Sequence, residues 1–185
     1  MPHTLVIHAH PRESASLVTE ALRRTLQSQP DTTVRPLYHL YPDFDIDVAA
    51  ERAALRQADL VVWLSPVHWY SVPALMKHWF DQVLGYGWAY GPGGDAMRGK
   101  TAWWVTSAGG RLDDYAPGGP HGRPFADFVA PIEHTARFCG MHWLPPHVVH
   151  GGHANSQAEV SADCGGLLQQ LAGHLATIDA RRTAA

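Results

Sequence analysis

Cysteine and charge are scarce in this chain. Only two cysteines occur in 185 residues, Cys139 and Cys164, and their spacing fits neither a metal site nor a redox pair. We expect both to be reduced thiols of a cytoplasmic protein. Charged residues make up 17% of the chain and the formal net charge is −3, so bulk electrostatics favour neither nucleic acid nor an anionic membrane as a partner.

Long apolar runs and targeting signals are also missing. No apolar segment approaches the ~18 residues typical of a membrane-spanning helix, and residues 1–9 lack the pattern of a secretion signal. The glycine patterns of dinucleotide-binding loops and P-loops are absent too. The 45% content of hydrophobic residues is typical of a globular protein, and we expect residues 1–185 to form a single domain.

The stretch 59–100 shows how the chain is built. Residues 60–64 form an apolar run that is long enough for a buried strand and too short for a helix. An aromatic pair, Trp69 and Tyr70, follows, and Pro73 then stands at a natural first helical position. Apolar residues recur at helical spacing after it. The order strand, aromatic loop, helix is typical of an α/β unit whose loop faces a ligand.

The same alternation recurs along the chain. Strands that alternate with helices predict a parallel sheet with helices on both faces. Units of this number and size fit the flavodoxin-like α/β fold, a five-stranded parallel sheet in the order 2-1-3-4-5 with its ligand at the switch between strands 1 and 3. The predicted strands are 4–9, 32–37, 60–64, 101–106 and 141–150, the last at an edge because of its two prolines, and the closing helix is 156–180. Residues 38–47 and 111–124 are expected to be irregular.

Three loops are then expected to converge at one edge of the sheet. Residues 10–17 join a strand to a helix N-terminus through Ser14 and Ser16, either of which can cap the helix. Free backbone N–H groups and serine hydroxyls there suit a monophosphate, although an ordinary capped helix start would look the same. Residues 66–70 offer aromatic rings, and residues 106–110 offer a glycine-rich backbone. Together the three loops predict FMN.

Particular motifs carry a resemblance to a known family over residues 4–150. They are the sequence AHP at 9–11, PVHWYSVPALMKHWFDQVL at 66–84, GWAYG at 87–91 and the glycine pair 109–110. With them the chain resembles the flavodoxin-like NAD(P)H:quinone oxidoreductases of the DT-diaphorase class. The segments 40–47 and 139–146 are most similar to a bacterial branch, the ancillary flavoproteins of glutathione-gated potassium efflux systems. Leu17 departs from the family, where an Asn is common.

This resemblance implies a cytoplasmic homodimer with FMN as cofactor, NAD(P)H as hydride donor and a quinone as acceptor, with two electrons transferred together by a ping-pong route. It also implies roles for individual residues. FMN-binding residues would be His10, Ser14, Ala15, Ser16, Leu17, Pro66, Val67, His68, Trp69, Tyr70, Ser107, Ala108, Gly109 and Gly110; Tyr115 and His121 would be catalytic, with His121 as proton donor; Trp88 and Tyr90 of the partner subunit would cover the substrate.

Alternatives remain open at this level. Trp69 and Tyr70 also suit a core or a dimer interface, and His10 can orient its loop without touching phosphate. We expect no metal, because the histidines at 147, 150 and 153 share no common face and no cysteine or carboxylate completes a site. Arg111 or Arg123 is a candidate for binding the 2′-phosphate of NADPH, but the choice between NADH and NADPH stays open.

A rival function is a regulatory subunit that docks on the cytoplasmic side of a membrane potassium efflux transporter. The two functions are compatible, and no exposed docking patch can be read from the sequence. A simple electron carrier is less favoured, because carriers expose the flavin edge on an acidic surface whereas this chain is only mildly acidic.

Overall fold

The computed structural model describes residues 1–152 and 154–184. It contains a parallel sheet of five strands in the order β2-β1-β3-β4-β5, which confirms the predicted flavodoxin-like topology. The strands are β1 Thr4–His8, β2 Thr32–Pro36, β3 Leu60–Pro66, β4 Thr101–Ser107 and β5 His142–Val149. The helices are α1 Val18–Gln27, α2 Leu37–Leu40, α3 Val48–Gln57, α4 Ala74–Val83, α5 Ala126–Phe138 and α6 Gln157–Ala184.

Both faces of the sheet are covered by helices, as expected for a parallel sheet. Side chains of β3 alternate between two separate hydrophobic cores, because successive residues of a strand point to opposite faces. Val61 and Trp63 belong to the core formed with α3, α4 and α5. Leu60, Val62 and Leu64 belong to the core formed with α1 and α6.

The predicted edge position of β5 is confirmed, and the two prolines leave a mark on the ladder. The pairing of β4 with β5 changes register between Trp103 and Val105, opposite Pro145 and Pro146. Proline has no N–H to donate, so this irregularity falls where the ladder bonds are missing. The Trp103 indole Nε1 donates to the Pro145 carbonyl at 3.0 Å and secures the bulge.

The observed helices differ from the predicted ones in two places. The segment 38–47, expected to be irregular, begins inside a helical turn, because Leu37 is fully buried and its carbonyl accepts from the Tyr41 amide at 2.8 Å. Helix α6 runs four residues beyond the predicted end at 180. Its last turn is held by Arg182, whose Nη1 lies 3.0 Å from Asp59 Oδ2 at the start of β3. No described helix is both long and apolar enough to span a bilayer.

Candidate functional site

Three of the strands end at one place, and backbone hydrogen bonds tie their loops together. The Ala9 amide donates to the Leu64 carbonyl at 2.9 Å, and the Val67 amide donates to the Ser107 carbonyl at 2.7 Å. The Ala108 amide donates to Val149 at 2.8 Å and so fixes the glycine-rich loop against β5. The carboxyl ends of β1, β3 and β4 therefore form one continuous edge, which is where open α/β sheets bind ligands.

A cavity of about 160 Å³ opens between these loops. Most of the predicted FMN-binding residues line it, and four lining residues were not predicted: Pro11, Arg12, Val18 and Gly152. Ser14 lies instead in a larger cleft of about 1010 Å³ on the outer side of the 10–17 loop. Trp69, Tyr70 and Gly110 do not line the smaller cavity either. The predicted residues that do line it are His10, Ala15, Ser16, Leu17, Pro66, Val67, His68, Ser107, Ala108 and Gly109.

The N-terminus of α1 gives the cavity its phosphate-binding character. The first backbone bond of the helix joins the Ala21 amide to the Leu17 carbonyl, so the amides before Ala21 have no partner inside the helix. Ser16 is the capping side chain, since its Oγ accepts from the Thr19 amide at 3.1 Å. The Thr19 hydroxyl in turn lies 3.1 Å from Ser107 Oγ and joins α1 to the end of β4. Free amides, a capping serine and a helix dipole suit a phosphate group.

Three nitrogen-bearing side chains, those of His10, Arg12 and His68, line the cavity. The Arg12 amide donates to His10 Nδ1 at 3.1 Å, which makes Nδ1 the acceptor of that ring. Burial lowers the pKa of His10, and the charges of His68 and Arg12 lower it further. Burial and Arg12 likewise lower the pKa of His68. Both rings are therefore largely neutral at pH 7 in the absence of an anion, and Arg12 is the fixed positive charge.

The aromatic loop after β3 is a tight turn with unusual backbone geometry. His68 and Ser71 exchange both backbone hydrogen bonds, at 3.0 and 3.1 Å. The residues between them, Trp69 and Tyr70, have φ values of +48° and +63°. Two consecutive positive φ values are typical of a type I′ turn, which favours Asn and Gly. Bulky aromatic residues there are strained, and such strain is concentrated at functional sites.

Trp69 is 92% exposed, which excludes a core role for this side chain within one protomer. Tyr70 is 44% exposed and packs against Phe128, with ring centroids 4.8 Å apart. The strained turn thus presents one ring to solvent and holds the other against α5.

The predicted catalytic pair is brought together beside this turn. The rings of Tyr115 and His121 are stacked, with centroids 4.2 Å apart and planes at 19°. The Tyr70 ring meets His121 edge-on at 5.7 Å. Burial raises the pKa of Tyr115, and Tyr70 and Asp114 raise it further, so Tyr115 carries a phenolic proton at neutral pH.

Gly110 and Asp114 hold the Tyr115–His121 pair in place. A Cβ on Gly110 would lie 2.6 Å from His121 Nε2 and 3.2 Å from the Tyr115 ring, so any other residue there would displace the imidazole. Asp114 Oδ2 accepts from the Arg111 amide at 2.6 Å, and the Asp114 carbonyl accepts from the His121 amide at 3.2 Å. Residues 111–124, expected to be irregular, thus contain a short 3₁₀ turn, Leu112–Tyr115, which positions the pair.

Trp88 and Tyr90 lie elsewhere in the protomer. The Trp88 ring is covered by two guanidinium groups, that of Arg52 at 4.7 Å and that of Arg56 at 5.8 Å from the ring centroid. Tyr90 packs against Phe138 at 5.1 Å and lines a groove of about 600 Å³ between α4 and α5. Neither residue lines the small cavity of its own chain, so their predicted contact with substrate requires a second subunit.

His147 and His150, two of the three histidines weighed as metal ligands, make contacts within the fold instead. His147 Nδ1 lies 3.3 Å from Gln170 Oε1, and His150 packs edge-on against Tyr115 at 5.4 Å. His153 lies outside the described residues. Among residues 1–152 and 154–184, no group of three His, Cys, Asp or Glu side chains is arranged to hold a metal ion.

Comparisons with known proteins agree with this geometry. A family model described as flavodoxin-like fold matches residues 2–171. The glutathione-regulated potassium-efflux system ancillary protein KefF of Salmonella typhi is 46% identical over 146 residues, which are 79% of this chain and 82% of that protein.

Two solved structures are also similar. One is general stress protein 14 of Treponema denticola in complex with FMN, with a TM-score of 0.87, 37% identity and coverage of 93% of this chain and 99% of that one. The other is an NADPH-quinone reductase from P. pentosaceus, with a TM-score of 0.81, 27% identity and coverage of 91% and 96%. The chain therefore belongs to the flavodoxin-like fold family and, within it, to the family of the potassium-efflux ancillary proteins.

Proposed function

We propose that this protein is an FMN-dependent NAD(P)H:quinone oxidoreductase. The observation that carries the proposal is a cavity with a helix N-terminus suited to phosphate, whose His68 loop also brings Tyr70 edge-on to the stacked Tyr115–His121 pair. The similarity to a structure in complex with FMN and to an NADPH-quinone reductase supports the same function.

The residues of the cavity fit FMN. The unpaired amides at the start of α1, with Ser16 and His10, suit the ribityl phosphate, and the backbone of 107–110 suits the polar edge of the ring system. Val67 and the strained turn at Trp69 and Tyr70 offer a flat surface beside it. When bound, FMN supplies the hydride chemistry: it accepts a hydride from NAD(P)H and passes one to the quinone.

Tyr115 and His121 are proposed as the catalytic residues. Because the pKa of Tyr115 is raised, its hydroxyl stays protonated and can donate a hydrogen bond to an oxygen that gains negative charge. His121 stacks on that ring and can supply the proton that a reduced quinone oxygen needs. Tyr70, edge-on to His121, limits the directions in which the imidazole can move.

A homodimer is part of the proposal. The groove between α4 and α5 carries two exposed aromatic side chains, Tyr86 at 70% and Phe138 at 62%. Exposed aromatic residues in a groove favour an interface. Tyr90 lines this groove and packs against both Tyr86 and Phe138. A partner subunit is therefore the proposed route by which Tyr90, and with it Trp88, reaches the substrate.

A second candidate function is that of an ancillary subunit of a glutathione-regulated potassium efflux transporter, at the cytoplasmic face of the membrane. The 46% identity with the ancillary protein of Salmonella typhi favours it. The two functions are compatible in one protein. Co-purification of the tagged chain with such a transporter, compared before and after removal of the flavin, tests this role separately from catalysis.

Anaerobic stopped-flow measurements test the oxidoreductase function. The FMN-loaded protein is mixed with NADPH or NADH and then with menadione, while the flavin absorbance near 450 nm is followed. We expect fast bleaching by one nucleotide and fast recovery with the quinone. Tyr115→Phe should slow turnover by about 100-fold, as loss of a donor to a developing oxyanion does, and His121→Asn by about 100-fold, as loss of a general acid does. The exposed His142→Asn at the start of the edge strand β5 serves as control. Bound FMN that neither nucleotide reduces would contradict the proposal.

A further inference from the structure

The small cavity contains more titratable groups than a phosphate site needs. His10, Arg12 and His68 all line it, and they come from two loops, one after β1 and one after β3. Among the described residues, no Asp or Glu lines this cavity, while Glu20 on α1 acts to raise the pKa of His10. The loop after β4 contributes Ser107, Ala108 and Gly109, none of which titrates.

The two histidines are in different situations. The Nδ1 atom of His10 already accepts the Arg12 amide at 3.1 Å, so the neutral ring carries its hydrogen on Nε2. A second proton on Nδ1 would break that bond, so His10 is fixed as a neutral hydrogen-bond donor. Within residues 1–152 and 154–184, the His68 side chain makes no hydrogen bond, so both of its ring nitrogens can bind a ligand.

The balance of charge in the cavity indicates that His68 becomes protonated when an anion binds. A phosphate monoester such as that of FMN carries close to two negative charges above its second pKa of about 6. Arg12 supplies one fixed positive charge, and its repulsion helps to keep His68 neutral before the anion arrives. A phosphate bound between Arg12 and His68 reverses this effect, because its negative charge favours the protonated form of the His68 ring.

We propose that His68 is the titratable cation of this site: it takes up a proton when the dianionic phosphate of FMN binds near Arg12 and His10, while His10 stays neutral and donates through Nε2. This inference rests on the proposed use of FMN. It gives the protein a means to distinguish FMN from riboflavin, which has no phosphate. It also predicts that FMN affinity depends on pH while riboflavin affinity does not.

The direction of the pH dependence follows from linkage. Free His68 has a pKa below its ordinary value, and the bound anion raises it. At a pH between the free and the bound pKa of His68, FMN binding is accompanied by uptake of one proton. The Kd for FMN should therefore rise by up to about tenfold per pH unit as the pH increases. The informative window begins near pH 6.5, above which the phosphate of free FMN is already mostly dianionic.

Calorimetry of the flavin-free full-length protein tests the proposal. FMN and riboflavin are titrated at about pH 7.5 in two buffers of different ionisation enthalpy, neither of them phosphate. We expect proton uptake with FMN and none with riboflavin. His68→Gln should abolish the uptake and weaken FMN binding about tenfold, as loss of a charge-assisted bond does. His10→Gln should weaken binding but keep the uptake, and the exposed His142→Gln should change neither.

Other results would overturn the inference. The inference would be wrong if FMN binding took up no proton, if riboflavin binding took up as many protons as FMN binding, or if proton uptake were unchanged in His68→Gln. Nitrogen NMR of the histidine rings on the wild-type protein gives a second readout if a variant fails to fold: one ring should become doubly protonated on adding FMN, and no such change would overturn the inference. Failure of FMN to bind at all would contradict both this inference and the proposed function, whereas FMN binding without uptake contradicts only this inference.

Discussion

The ring of His121 lies face to face with the ring of Tyr115, their centroids 4.2 Å apart, in a chain segment that contains little regular structure. Two features allow this: the Asp114 carbonyl holds the His121 amide at 3.2 Å, and Gly110 leaves room for the imidazole. The pair is therefore positioned by backbone contacts in its loop, and its geometry is sensitive to small changes there.

Gly110→Ala should disrupt the catalytic pair without unfolding the protein. Its Cβ would lie 2.6 Å from His121 Nε2, so the imidazole must move. Displacement by about 1 Å at a reacting group can reduce the rate about 100-fold, which steady-state quinone reduction would measure. Gly166→Ala in α6, where nothing lies within 4 Å of the new Cβ, should keep full activity. Equal activity in the two variants would argue against a catalytic His121.

Trp69→Asn should make the protein more stable and less active. Trp69 has φ +48° and is 92% exposed, so Asn relieves strain and removes no packing. We expect the free energy of unfolding in urea to rise by about 1 kcal/mol while quinone reduction falls. Asp31→Gly, at φ +51° before β2, is the matched control and should leave activity unchanged. Unchanged activity in Trp69→Asn would show that the indole does not contact substrate or flavin.

Glu51→Gln should destabilise the fold. The Glu51 carboxylate is fully buried and accepts from Arg35 at 2.6 Å, from the Tyr41 hydroxyl at 2.7 Å and from the Trp79 indole at 2.8 Å. Removing its charge leaves the guanidinium uncompensated, and we expect a loss of about 3 kcal/mol in urea unfolding.

Glu133→Gln, which breaks the exposed pair with Arg137 on α5, is the control for that change. It should alter stability by less than about 1 kcal/mol, because solvent screens exposed pairs. Similar losses of unfolding free energy in the two variants would show that the Glu51 network stabilises the fold no more than an exposed ion pair does.

His8 should make stability sensitive to mild acid. The side chain is 2% exposed, and burial, with Arg23 adding to it, lowers its pKa to about 3. Below the unfolded value of about 6.5 the unfolded chain binds a proton that the native state does not. Stability should therefore fall as the pH drops from about 6.5, by up to about 1.4 kcal/mol per pH unit, and this loss should continue towards pH 3.

Urea unfolding between about pH 6.5 and 5 separates the effect of histidines from that of most carboxylates, which titrate lower. His8→Gln should flatten the pH dependence of the unfolding free energy in this window, whatever its stability at neutral pH. A slope that does not change would assign the acid sensitivity to other histidines, such as the buried His147 and the half-buried His174, whose pKa values desolvation also lowers.

The sequence was sufficient to predict the fold class and the place of the site. Apolar runs such as 60–64 are too short for helices and are typical of strands buried on both faces of a parallel sheet. Their alternation with helices, in units of this number and size, then fits the flavodoxin-like strand order. The loops at 10–17, 66–70 and 106–110 follow from that topology, because the carboxyl ends of parallel strands share one edge.

Only the tertiary structure decided which side chains within those loops meet. Arg12 and Gly152 line the cavity although no local pattern marks them, because their positions depend on how two loops pack. Trp88, expected near substrate, lies under Arg52 and Arg56 in its own protomer, and the sequence could not place it because those arginines are distant in the chain. Sequence periodicity fixes elements and faces, whereas contacts between loops depend on packing across long sequence separations.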